Sequence, residues 1–173
     1  APPKVTTVQR RAVDRYGPAE FRVENETSNR MTDTRHPIGS GATYEGSGVS
    51  IAAGEAAVDL MKPFTSRTRR PEVVGGIGGF ASLFRLPLHR YREPLLASST
   101  DGVGTKCAIA QAMDVHNTIG IDLVAMVVDD LVASGAEPLF LQDYIATGKL
   151  DPQRIAAIVS GIADGCVLAG CAL

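Results

Sequence analysis

Three features of this chain predict an α/β domain, or an α+β layering, with helices covering a small mixed sheet. From Pro94 onward, short β-forming segments alternate with helical stretches across connections of a few residues. A composition of 45% hydrophobic and 21% charged residues over 173 positions suits one ordinary soluble domain with a real core. There is also no internal repeat or low-complexity array that would point to a solenoid or a disordered tract.

Taken in order, residues 1–48 show little periodicity and many polar or breaking residues, as in Glu24 to Arg30 and His36 to Ala42, and are expected to be a mobile leader. Met31 is a reasonable translation start, so the residues ahead of it are expected to be an upstream or non-native extension. The folded domain is expected over 49–173. Ile51, Ala52, Glu55, Ala56, Asp59, Leu60 and Phe64 fall at helical spacing, with Pro63 expected to end or kink that helix. Four glycines between Val73 and Phe80 suit a bend with exposed backbone. Pro94 to Ser99 is a strand candidate, and Thr105 to Met113 is helical. Ile119 to Ala133 is a stronger helix, apolar nearly all round and therefore expected to be buried. Leu139 to Ala146 carries β-formers, and Asp151 with Pro152 then supplies the N-cap and first position of a helix bearing Ile155, Ile158, Val159, Ile162, Val167 and Leu168. The last residues, Cys171 to Leu173, have the pattern of a strand just begun, from which a fragment of a longer protein is expected.

Charge and cysteine content narrow the function classes. A formal net charge of -2 argues against a dedicated nucleic-acid or anionic-membrane surface, which needs a basic excess. No apolar run approaches the ~20 residues of a membrane span, and no signal peptide is apparent, so a cytoplasmic protein acting on small molecules is expected. Cys107, Cys166 and Cys171 lack zinc-ligand spacing and are expected to be buried thiols.

Two features carry chemistry. In Ser98-Ser-Thr-Asp-Gly-Val-Gly-Thr-Lys106, Gly102 and Gly104 would expose backbone amides to phosphate oxygens, Asp101 would hold Mg²⁺, and Lys106 would add a positive charge. It is not the Gly-x-x-x-x-Gly-Lys phosphate loop, and spacing alone fits a plain strand-to-helix turn equally well. The second feature is the acidic set Asp122, Asp129 and Asp130 on an apolar helix. Asp122 and Asp129 share a face, with Asp130 roughly 80° away. Carboxylates there need a cation, a hydrogen-bond network or an exposed stripe to offset their desolvation. His36, His89 and His116 are scattered, and Arg67, Arg69 and Arg70 fit either a solvated helix end or an anion site beside the glycines.

Asp130-Leu-Val-Ala-Ser-Gly135-Ala136-Glu-Pro138 fits Asp-x-x-x-x-Gly-Ala-x-Pro, and resembles the signature of an ATP-binding superfamily that includes selenophosphate synthetase and thiamine-monophosphate kinase. The flanking text is more selective. Thr43-Tyr-Glu-Gly-Ser-Gly-Val-Ser-Ile51, Arg69-Arg-Pro-Glu-Val-Val-Gly-Gly-Ile-Gly-Gly-Phe80, Tyr91-Arg-Glu-Pro94, Thr100-Asp-Gly-Val-Gly-Thr-Lys106, Thr118-Ile-Gly-Ile-Asp-Leu-Val-Ala-Met126 and Asp143-Tyr-Ile-Ala-Thr-Gly-Lys149 together resemble the amino-terminal domain of the aminoimidazole ribonucleotide synthetase family. These enzymes are also called phosphoribosylformylglycinamidine cyclo-ligases.

The resemblance covers about 43–173. It implies a domain that pairs its small sheet with a second copy to form a β-barrel homodimer, followed by a second domain. It implies ATP- and Mg²⁺-dependent ring closure of formylglycinamidine ribonucleotide in purine biosynthesis, with this portion inactive by itself and neither nucleic acid nor membrane as a partner. By motif, Asp101 and Asp130 are the implied metal ligands. Gly102, Gly104, Thr105, Lys106, Gly135 and Ala136 join them at the nucleotide, and Lys106 and Asp130 are the implied catalytic residues. Asp129 is implied as a helper, although many relatives carry Asn there. Gly75, Gly76, Gly78 and Gly79 are implied in the cleft wall, and Glu45, where several relatives carry Lys, is given no phosphate contact. Another ATP-dependent superfamily member and a non-catalytic dimerisation module are the alternatives. The loop Thr43 to Ile51 lacks the reactive Cys that selenophosphate synthetase would favour.

Overall fold

Helix α1, Ile51–Arg67, begins where Ser50 accepts a hydrogen bond from the Ala53 amide at 3.2 Å. This computed structural model describes residues 43–79 and 81–173, so the sequence expectations for residues 1–42, Met31 and His36 included, lie outside the described residues. Thr43 to Gly48, inside the expected leader, forms a hydrogen-bonded turn: the Ser47 amide donates to Thr43 O, and the Val49 amide to Tyr44 O. Pro63 does not stop α1, which runs a further turn to Arg67. The Thr65 and Ser66 hydroxyls donate back to carbonyls of the preceding turn, including Pro63 O at 2.9 Å, and proline's exposed side of the helix needs no buried partner for the carbonyl it orphans.

The sheet is smaller than the sequence predicts. Strands β1, Val73–Val74, and β2, Leu83–Phe84, pair antiparallel, Val73 opposite Phe84. A short 3₁₀ turn follows over Leu88–Arg90. Pro94 to Ser99 makes no ladder, and of the expected strand Leu139 to Ala146 only Phe140 is bridged, in parallel, to Ala172. The start of a strand expected at Cys171 to Leu173 is therefore present as that single bridge. Instead of covering a broad sheet, the helices pack on one another. The observed architecture is mixed, helices plus a small two-stranded sheet, consistent with α/β.

Helix α4, Pro152–Ala169, is the centre of the described unit. Asp151 caps it, its Oδ1 accepting the Gln153 and Arg154 amides at 3.0 Å each, with Pro152 in the first turn as expected. On one side, Ile155 and Val159 of α4 pack with Ala57, Met61 and Phe64 of α1. On the other, Ile162 and Cys166 pack with Val124 of α3, Ile119–Ala133. Glycines make this second contact close: a Cβ at Gly161 would overlap Asn117 O, and one at Gly120 would overlap the α4 backbone. Only Gly120 and Val124 of α3 are buried, so the all-round apolar helix is not buried all round; Val132 is 60% exposed. Val167 and Leu168 at the end of α4 are likewise exposed. Helix α2, Lys106–Met113, lies against α3.

Candidate functional site

The turn that precedes α2 is open and anchored to α3 at two places. Ser99 Oγ donates to Asp130 Oδ2 at 2.8 Å, and Lys106 Nζ pairs with Asp122 Oδ2 at 2.6 Å. The two features that sequence alone left separate are thus one surface. Asp101 lies two residues past the Asp130 tie, its Oδ1 accepting the amide of Gly102 at 2.6 Å. Gly104 has a φ of +66°, a left-handed conformation open to glycine at little cost, and no atom lies within 4 Å of where a Cβ would sit at Gly102 or Gly104. Thr105 occupies the N-cap position of α2 without a side-chain capping bond.

Gly135 and Ala136 are placed by the end of α3. The Gly135 amide donates to Val132 O at 2.9 Å and the Ala136 amide to Leu131 O at 2.8 Å, the pair of bonds that closes a helix on a left-handed glycine, here with φ +73°. The spacing of Asp130 to Gly135 is thereby a stop signal that sets Asp130 in the last turn of α3. The amides of Gly135 and Ala136 point back into the helix, and Gly135 faces open space on its other side. Asp129 and Asp130 are exposed and Asp122 is half-buried and paired, which is how an apolar helix carries three carboxylates.

Among the described residues no group of three or more His, Cys, Asp or Glu side chains comes together to hold a metal. Asp101 and Asp130 nevertheless offer the donors Mg²⁺ takes, one or two carboxylates beside a ligand's own phosphate oxygens, and the Ser99 bond brings their two segments to one place. The arginines are differently employed. Arg67 pairs with Asp164, Arg69 Nη2 donates to Gly75 O at 3.0 Å, and Arg70 bonds Glu72, Gly170 O and Pro138 O, so the cluster braces the fold and holds the glycine-rich bend. Gly75 and Gly78, both at positive φ, shape that bend.

Sequence reasoning missed the partners of these groups. Glu137 accepts hydrogen bonds from Tyr91 Oη at 2.7 Å and from Arg90 Nη2 at 2.9 and 3.2 Å. The Tyr91 phenol, then Arg90, holds the Glu137 carboxyl below the usual range, and the same bond raises the Tyr91 phenol. Glu137 was in view as the variable residue of Gly-Ala-x-Pro; only its partners, 46 and 47 residues away, were invisible. Cys166 and Cys171 are buried, and a hydrogen bond to Cys171 together with burial pushes the Cys166 thiol up; Cys107, contrary to expectation, is exposed. A recess of about 330 Å³ lies at Gly48 to Ser50, Tyr144 to Thr147 and Leu150, and takes in none of the predicted site residues.

Residues 82–173, more than half of the chain, match the family AIR synthase related protein, N-terminal domain. The chain belongs to this family. Among curated relatives, the phosphoribosylformylglycinamidine cyclo-ligase of Geobacter sulfurreducens is 61% identical over 133 residues, 77% of this chain and 38% of the relative. Those of Thermosynechococcus vestitus and Geobacillus thermodenitrificans are 60% and 62% identical over 130 residues, each 75% of this chain and 38% of the relative. The chain thus spans well under half the length of the curated relatives it matches. The family resemblance carried by the motifs is borne out.

Proposed function

We propose that this chain is the nucleotide-binding portion of a phosphoribosylformylglycinamidine cyclo-ligase, acting in purine biosynthesis. The observation that carries the reading is the double tie of the 98–106 turn to α3, which brings the phosphate-type turn to the carboxylates, in a chain about 60% identical to enzymes of that name. Asp101 and Asp130 would hold Mg²⁺, which when bound screens the negative charge of the ATP phosphates. Once Asp101 turns to a cation, the Gly102 amide it now occupies is freed to donate to a phosphate oxygen. Lys106 exchanges Asp122 for the same phosphates, an inexpensive exchange because both side chains are more than a third exposed.

In the reaction, the formyl-amide oxygen of formylglycinamidine ribonucleotide attacks the terminal phosphorus of ATP and ADP leaves. The amidine nitrogen then attacks the activated carbon, and the C–O bond breaks to release phosphate as the imidazole ring closes. Phosphorylation turns a poor leaving group into a good one, and Lys106 and the turn amides stabilise the charge that moves onto the transferred group. This portion alone is inactive, and in the homodimeric whole protein a second copy would cover its exposed Leu83, Leu95, Leu96 and Tyr144 in a β-barrel. We place it in the cytoplasm; no described helix is long and apolar enough to cross a membrane. Supplying the full-length protein with formylglycinamidine ribonucleotide, ATP and Mg²⁺ should release one phosphate per ring closed. Absence of phosphate release from the folded protein would sink the proposal.

A further inference from the structure

We infer that Glu137, with Arg90 and Tyr91, is the device that positions the Mg²⁺·ATP site, an inference that rests on the nucleotide reading above. Two stretches of chain are tied at both ends. At one end Glu137 accepts its three hydrogen bonds from Arg90 and Tyr91; at the other Ser99 donates to Asp130. Between the ties, the stretch from Tyr91 to Ser99 has no ladder among the described residues. Within one copy of the chain, these ties join the stretch that leads into Asp101 to the end of α3.

The other stretch, Asp130 to Glu137, turns on Gly135, the residue with the widest conformational range in it. A carboxylate that accepts from both a guanidinium and a phenol is fastened by charge-assisted hydrogen bonds to two side chains at once. Arg90 is itself set, its guanidinium lying 5.6 Å from the Tyr91 ring centroid. On the next residue, Arg70 reaches Pro138 O at 3.4 Å and Gly170 O at 2.8 Å, so the loop is held to the end of α4 beyond the clamp. Glu137 needs no contact with the nucleotide. Releasing it removes one of the ties of this stretch, leaving Ser99–Asp130 and Lys106–Asp122 to hold the turn, and the seat of the turn on α3 loosens.

The test is calorimetric titration of Mg²⁺·ATP into the full-length protein and its Glu137→Gln and Tyr91→Phe variants, with KM for ATP and kcat measured beside it. Glu137→Gln, which removes the charge from the hydrogen bonds, should weaken binding about tenfold, and Tyr91→Phe about threefold. KM for ATP should rise in step, with KM for the ribonucleotide substrate unmoved. A lesion of stability alone would lower the amount of active enzyme and leave KM for ATP where it was. Unchanged affinity in a folded variant overturns the inference, and Tyr91→Phe decides it alone if Glu137→Gln fails to fold. If the unsubstituted protein takes up no Mg²⁺·ATP, the nucleotide reading itself falls and the clamp falls with it.

Discussion

Asp151 sets the start of α4 by accepting the Arg154 and Gln153 amides, and those amides hold its carboxyl below the usual range. A depressed folded-state value means that its contribution is present above the unfolded carboxyl's pKa, ~3.9, and is lost as pH falls through the folded value. Asp151→Ala should therefore lower the thermal midpoint at neutral pH, with the gap to the parent closing as the solution is taken below that range. This residue was legible in the sequence because a cap and its helix are neighbours in the chain. Lys106 and Asp122 were both visible, but their pairing, like that of Ser99 with Asp130, depends on how α2 and the turn lie on α3, and spacing carries no information on that. Asp122→Asn should change stability in urea by no more than about 1 kcal/mol, because a pair whose side chains are both more than a third exposed gains little over hydration.

The helices were read well, since period, cap and stop are local signals: α2 and α3 begin and end where expected, within a residue. The strands were not. A ladder requires a partner, and the strand candidate Pro94 to Ser99 lacks one among the described residues, while Phe140 finds only Ala172. The degree of burial of α3 was also misjudged, because periodicity cannot show that one apolar face meets α4 and another meets solvent. The α3–α4 contact gives sharp expectations. Ile162, fully buried against Val124 and Cys166, should cost about 2–5 kcal/mol when cut to Ala. Gly161→Ala should cost at least about 1–3 kcal/mol, since the added methyl meets backbone that cannot rotate away. Denaturant unfolding of both variants checks this, and a neutral Gly161→Ala would mean the helices are not so closely crossed.

For the whole molecule, the exposed apolar side chains are the large feature that the described core leaves unexplained. Leu95 at 97% and Tyr144 at 90% exposure are costly in solution, and the proposed second copy covers them. Leu95→Lys with Leu96→Lys should shift sedimentation toward the monomer, whereas an unchanged dimer would place the interface elsewhere. Family membership was legible because motifs survive in sequence order; how the motifs meet was not, because Ser99–Asp130 and Tyr91–Glu137 span 31 and 46 residues. The central claim is that the turn and the end of α3 together bind Mg²⁺·ATP. Calorimetry of Mg²⁺·ATP with the full-length protein and its Asp130→Asn variant tests it most directly. The account predicts binding by the parent and about a tenfold or greater loss in a folded Asp130→Asn, which gives up a charged metal ligand. Equal affinity in the two would contradict it.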